Sequence, residues 1–457
     1  MTKAKLRNRF AFLSMLLVVA HAALAQEPKI VTIDPQIRYQ TITGWGGHVY
    51  PQAFRHFSDE KFMREMLEEL QTTHMRVRSY WYQLEGENDN ADPNAIDWHA
   101  IAAGDTGLVH DELLMQQELA RRGVKLMFAA WRFPYWMAGM PADWQPKSDQ
   151  KPYLPAGMDA EFVESMVAYL LYARDRYNFV FDAVSVANEP DIGIYIMGLD
   201  PSRLLRISQQ LGKRLDVAGY ATRFYPPEVA AADSIGRAYA DAFFKLEGAA
   251  QHTASVSYHT YRRERSVIEF FRELGERHHL RVWATEQNDT HLGVSDRHEW
   301  SHGLKNAICL HDILVYGNVS LSVYFSFAMA NSQGLSLYLP EKRDWAPAYD
   351  MLKHFYNFAP PGSVRIDSKP DVSGDGLRTL AFAQPGNRQI AAILINSAQE
   401  ERRIALRLNG QRKSIHAAFI SDANARFDAF AVAEISNDMP TFALPPESVA
   451  TVVLGGE

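Results

Sequence analysis

The chain of 457 residues has one cysteine, Cys309, so no intramolecular disulfide can form. An exported protein without disulfides suits a bacterial periplasm or exterior better than a eukaryotic secretory route. Cys309 itself lies in the apolar helical pattern "KNAICLHDIL", which reads as a buried structural thiol rather than a nucleophile. Beyond the first 25 residues no apolar run reaches spanning length, which excludes a membrane span in the mature chain. There is no long basic run and the net charge is −7, which argues against nucleic acid as the main partner. Nothing has convincing metal-ligand spacing. His278-His279 closes a helix, and the Asp371–Gly376 turn has Phe382 where a calcium loop needs glutamate, so no metal or cofactor is expected.

What is present begins with an N-terminal address. Lys3, Lys5, Arg7 and Arg9 precede the apolar run Phe10–Ala20, and Ala23-Leu24-Ala25 offers a small-x-small cleavage site. This predicts a signal peptide over residues 1–25 and a secreted or periplasmic mature protein. An uncleaved anchor is the alternative. The remaining length allows one large domain and a smaller one, and 47% hydrophobic with 22% charged residues is ordinary for a globular chain.

Short apolar strands then alternate with amphipathic helices. The strands are expected at Thr41–Gly47, His74–Ser79, Val124–Trp131, Asp182–Glu189, Ala221–Glu228, Ala254–His259, Leu280–Glu286 and Val319–Phe327. Helical patterns separate them. One of these, "DEKFMREMLEELQ", has Ser58 as its expected cap. Eight such units predict an α/β fold, a (β/α)8 TIM barrel over residues 43–360, with a doubly wound sheet as the alternative. From Val364 the helical patterns stop, and short alternating segments separated by "SGDG", "PGN" and "NG" predict an antiparallel β-sandwich over residues 361–457. The strand pattern in residues 26–42 is expected to join that sandwich.

In "FDAVSVANEPD", Ala183, Ser185, Ala187 and Glu189 share one face by strand alternation until Pro190 stops the ladder. In "RVWATEQND", Val282, Ala284 and Glu286 share a face in the same way. Two glutamates at the ends of the fourth and seventh strands would meet in the barrel mouth, where such barrels keep their chemistry. Paired carboxylates there suit glycoside hydrolysis, one protonating the leaving oxygen and the other attacking or stabilising an oxocarbenium-like centre.

Five segments in order carry a resemblance: "YQTITGWGG", "FDAVSVANEPD", "VSYHTY", "VWATEQN" and "AYDMLKHFYNFAPPGSVRI". Together they resemble glycoside hydrolase family 30, a family of retaining enzymes of clan A, from about Val31 to Val453. The resemblance implies that Glu189 is the acid/base and Glu286 the nucleophile. It further implies that Asn188 bonds the sugar 2-hydroxyl and that Tyr261 bonds the nucleophile, and it favours Arg76 orienting Glu286 over simply pairing within the barrel mouth. Strict alternation turns Asn188 away from the mouth, so a bulge is expected there. His259 either lines the site or is a core histidine.

Trp81, Tyr82, Trp98, Trp136, Trp144 and Tyr153 lie in the loops after strands two and three and could stack on sugars or pack those loops. Trp131, at a strand end, is the better sugar-facing candidate, and Trp81 is carried as another. Pro51 stands where the glucosylceramidase-like branch has a glucose-holding aspartate and where the xylanase-like branch has proline. The last barrel strand lacks the tryptophans common in both branches. The expected function is retaining β-glycoside hydrolysis of a carbohydrate, xylanase-like or another family activity. A non-catalytic carbohydrate-binding protein is the alternative from another class.

Overall fold

The computed structural model describes residues 27–141, 144, 153–193, 196, 198–230, 234–261, 264–288, 296–329, 336–372, 374–386, 389–409, 414–432, 434–436 and 439–455. The expected signal peptide lies outside them. Among the described residues no helix is long and apolar enough to cross a membrane.

The first strand, β1 (Lys29–Thr41), belongs to the C-terminal domain. It pairs antiparallel with Val364–Pro370 and parallel with Arg402–Leu408, at the centre of a ten-stranded sheet. That sheet encloses one apolar core, with Val31 and Ile33 of β1 packed among Ile366, Leu394, Ile404 and Val452.

Eight parallel strands follow: β2 (Gly44–Val49), β3 (His74–Arg78), β4 (Lys125–Ala129), β5 (Ala183–Ser185), β6 (Arg223–Phe224), β7 (Ser255–His259), β8 (Arg281–Gln287) and β9 (Val319–Ala328). They are hydrogen-bonded in the order β6-β5-β4-β3-β2-β9-β8-β7. Val229, just past β6, bridges in parallel to Tyr258 of β7 and brings the two ends together. The expected (β/α)8 barrel is therefore what forms. Its first strand starts later than expected because Thr41 is taken by Val364 of the sandwich. Gly47 has to lack a side chain, since a Cβ there would sit 2.2 Å from the Phe327 ring on β9.

Helices fill the crossovers. The helix Glu60–Arg64 is capped by Asp59, whose side chain accepts from Lys61 N at 3.0 Å, not by Ser58 as expected. Gly107–Arg121, Asp159–Tyr177, Pro201–Val217, Ser234–Phe244, Arg265–His278, Trp300–Val315 and Pro347–Tyr356 complete the ring. Alternation divides the strand residues between two cores. Met127, Ala183, Trp283, Leu321 and Val323 fill the barrel interior, while Val184, Val282, Ala284 and Tyr258 join the larger core beneath the helices. Cys309 is fully buried in that larger core.

The last helix docks the two domains. His354 is wholly buried between Thr451 Oγ1 at 2.8 Å and Ser421 Oγ at 2.9 Å, and burial lowers its pKa to about 3. A neutral imidazole can donate from one nitrogen and accept at the other, which matches two hydroxyl partners.

Candidate active site

Both glutamates reach the barrel mouth, but not by simple alternation. The ladder of β5 ends at Ser185, and Ala187 packs in the helix-side core instead of the interior. Beyond it Glu189 adopts a left-handed backbone, φ 50°, which breaks the two-residue period. Asn188 and Glu189 can therefore both face the site. On β8 the expected shared face is overturned more directly. Trp283 points inside while Val282 and Ala284 face the helices. Between Ala284 and Glu286 the strand carries an extra residue relative to β7, since Tyr258 pairs with Ala284 and His259 with Glu286. That bulge turns Glu286 from the helix side into the mouth.

Arg76 of β3 organises what meets there. Its Nη1 donates to Glu286 Oε1 at 2.7 Å, its Nε to Glu228 Oε1 at 2.8 Å and its Nη2 to Asn188 Oδ1 at 2.6 Å. Arg76 and Glu228 are fully buried and Glu286 is 2% exposed. Tyr261 donates its hydroxyl to Glu286 Oε2. His259 Nδ1 lies 2.8 Å from Glu189 Oε1 and 3.4 Å from Glu286 Oε2, with Nε2 3.8 Å from Glu228 Oε1. The backbone ties the loops together, Glu189 N donating to Glu228 O at 3.1 Å.

Three carboxylates thus face one guanidinium and one imidazole. Burial works against charge on His259, but Glu286, the hydrogen-bonded Glu189 and the nearby Glu228 outweigh it and raise its pKa to about 10. The ring is an imidazolium at neutral pH, its Nδ1 donating to Glu189 Oε1 while its Nε2 lies 3.8 Å from Glu228 Oε1. Burial likewise opposes charge on Arg76, and Glu228 with Glu286 hold it firmly protonated. Burial pushes the Glu286 carboxyl up, while His259 and Arg76 pull it back. Burial and the adjacent Glu286 raise the Tyr261 phenol well above its ordinary value, so it stays a donor. One oxygen each of Glu189 and Glu286 and a nitrogen of His259 lie within 4.8 Å of one another, a spacing that could hold a metal ion. Here, however, the Arg76 guanidinium and the His259 imidazolium already supply the positive charge.

The structure gathers Glu189, Glu286, Asn188, Tyr261, His259 and Arg76 into one cluster. Trp131 joins them: the Arg76 guanidinium lies 5.5 Å from its ring centroid, and Phe325 of β9 stacks on it at 6.0 Å. Phe325 thus occupies the end of the strand that lacks tryptophan. Trp81 does not join. It is 1% exposed and packs edge-on against Phe128 and Phe162 on the helix side of the barrel. Tyr82 and Trp144 similarly pack on Tyr135. Sequence reasoning missed Glu228 and His48. Glu228 ends a strand as Glu189 does, so the same positional rule would have flagged it. His48 packs among Tyr50, Trp131 and Phe325 with ring centroids 4.8–5.7 Å away, and no local signal marks it.

Residues 362–452 match the glycosyl hydrolase family 30 beta sandwich domain. The fold is similar over nearly the whole chain to the catalytic domain of a family 30 xylanase C from Talaromyces cellulolyticus, with TM-score 0.72 and 19% identity, covering 93% of this chain and 100% of that one. A family 30 endoxylanase from Clostridium papyrosolvens gives 0.71 and 18%, covering 93% and 100%. An endo-β1,6-glucanase gives 0.66 and 16%, covering 95% and 96%. No curated protein matches by sequence. The resemblance to family 30 therefore holds both in the sandwich sequence and in the two-domain architecture.

Proposed function

We propose that the protein is a glycoside hydrolase that cleaves β-glycosidic bonds with retention, Glu286 as nucleophile and Glu189 as acid and then base. The observation that carries this reading is the Glu189–Glu286 pair, with an oxygen of each within 4.8 Å. Retaining enzymes hold their carboxyl groups about 5–5.5 Å apart, whereas inverting ones leave about 6.5–9.5 Å for a water.

In the first step Glu286 attacks the anomeric carbon while the bond to the leaving oxygen breaks and Glu189 gives that oxygen its proton. His259, donating to Glu189 Oε1, directs the proton to the other oxygen. Arg76 and Tyr261 hold Glu286 in line. Forming the glycosyl ester removes a negative charge beside Glu189, which acidifies it. Glu189 then takes a proton from water as the water attacks, and the bond to Glu286 breaks. Asn188 Nδ2 is buried with no hydrogen-bond partner while its Oδ1 is held by Arg76, which leaves a donor for the sugar 2-hydroxyl.

The substrate in this reading is a β-linked plant or microbial polysaccharide, with xylan tested first because Pro51 follows the xylanase-like pattern. Export through the expected signal peptide over residues 1–25 would bring the enzyme to it. Glu286→Gly should lose turnover of an aryl β-glycoside and recover part of it in azide as a glycosyl azide. Full activity in that variant would remove the nucleophile assignment. Oligosaccharide binding without cleavage by the wild type would replace hydrolysis with a binding role.

A further inference from the structure

Away from the barrel mouth, the loop after β3 and the helix Asp159–Tyr177 bring three acids together. One carboxylate oxygen each of Glu85, Asp89 and Glu164 lies within 4.8 Å of the other two. Glu164 is 1% exposed, and neither of its oxygens has a hydrogen-bond partner. Glu85 is 5% exposed; Ser165 donates to its Oε2, but its Oε1 has no partner. Glu161, one turn before Glu164 on the same face, adds a buried and unpartnered Oε2.

The same protein shows how it buries a carboxylate stably. Glu112, fully buried, accepts from the Ser79 and Tyr169 hydroxyls, from Tyr80 N and from Gln116 Nε2 at 2.9 Å. Glu164 has no such donors. The nearby base, Arg214, gives its Nη1 to Pro93 O at 2.6 Å and pairs with none of these acids. A buried carboxylate without donors is costly unless it is protonated or coordinates a cation.

We propose that Glu85, Asp89 and Glu164 bind one calcium ion that fastens the loop after β3 to the helix Asp159–Tyr177. An all-oxygen donor set selects a hard cation. Two oxygens bound to one calcium at about 2.3–2.6 Å are at most about 5.2 Å apart, so three oxygens within 4.8 Å of one another can share it. Water completes the shell. Burial and the neighbouring acids push Glu85 up to about 8 and Glu164 up to about 7. The ion braces the loop that follows Arg76 and takes no part in hydrolysis, so the site stands apart from the proposed activity.

The test uses the full-length protein stripped with EGTA. Calcium is titrated in while Tm is followed, and terbium is titrated with excitation through tryptophan. Trp136 Nε1 donates to Glu85 O at 3.1 Å, close enough to sensitise a bound lanthanide. We expect uptake of one equivalent, a Tm rise of several degrees and terbium emission that calcium quenches. Glu164→Gln should abolish all three while its Tm in EGTA equals or exceeds that of wild type, because an unpaired acid has been removed. Should Glu164→Gln not fold, Glu85→Gln is read in the same way. Equal wild-type Tm in EGTA and in millimolar calcium with no uptake overturns the proposal, as does a calcium response that survives Glu164→Gln.

Discussion

Arg76 Nη1 lies 2.7 Å from Glu286 Oε1, and the two charged side chains are almost entirely out of water. The same guanidinium reaches Glu228 and Asn188, so one cation on β3 ties together the ends of β5, β6 and β8. Removing it strands two buried carboxylates. Arg76→Met should cost about 3–5 kcal/mol in urea unfolding, the usual penalty for breaking a buried pair from one side. Arg76→Lys should also lose activity, because an ammonium cannot reproduce the three-way planar fork. Unchanged stability in Arg76→Met would mean that the network holds no strong charge.

Glu189→Gln removes the proton donor and leaves the shape. Turnover of substrates with poor leaving groups should fall by about 10²–10⁴-fold. Dinitrophenyl glycosides, whose leaving group needs no proton, should still form the glycosyl-enzyme and show a burst before a slow second step. An equal loss on both substrate types would argue against Glu189 as the acid.

Asn188→Ala should lower kcat/KM by about 10²–10³-fold, the cost typical of losing one donor aimed at the transition state. With a 2-deoxy substrate the wild type and the variant should differ little. A loss of the same size on the deoxy sugar would show that Asn188 works only by holding Arg76.

The pKa of His259 is raised to about 10 in the folded protein, against about 6.5 when unfolded. Its contribution to stability is fully present below pH ~6.5 and is lost as pH climbs towards 10. Wild type should lose unfolding free energy across that window, and His259→Gln should show a shallower decline. His354 acts with the opposite sign. Its pKa is depressed to about 3, so its contribution is present above pH ~6.5 and fades as pH falls towards 3. Matching alkaline slopes for wild type and His259→Gln would contradict the imidazolium assignment.

Much of this was legible in the sequence because it is local. Strand and helix periods, and Pro190 after Glu189, are set by neighbouring residues and survive into the structure as eight strands and their helices. The parity argument for Glu286 reached the right place for the wrong reason. Val282 and Ala284 face the helices, and a bulge created by pairing with β7 re-aims Glu286. Bulges belong to strand pairs, so a single strand's pattern cannot show them. The inward turn of Asn188 follows likewise from the early end of β5 and the left-handed Glu189. Trp81 illustrates the converse. A loop tryptophan has no periodicity, and the packing of Phe128 and Phe162 sets its direction.

By itself the sequence determined the alternation of strands and helices, the change to β-structure after Val364, and two glutamates at the ends of the fourth and seventh barrel strands. Each of these rests on patterns a few residues long. Only the tertiary structure decided that Arg76, Glu228 and His259 would share charge with those glutamates, and that Glu85 and Asp89 would meet a Glu164 that has no donor of its own. Those relationships join residues tens to hundreds of positions apart. Their energies depend on burial and distance, and neither exists until the barrel closes.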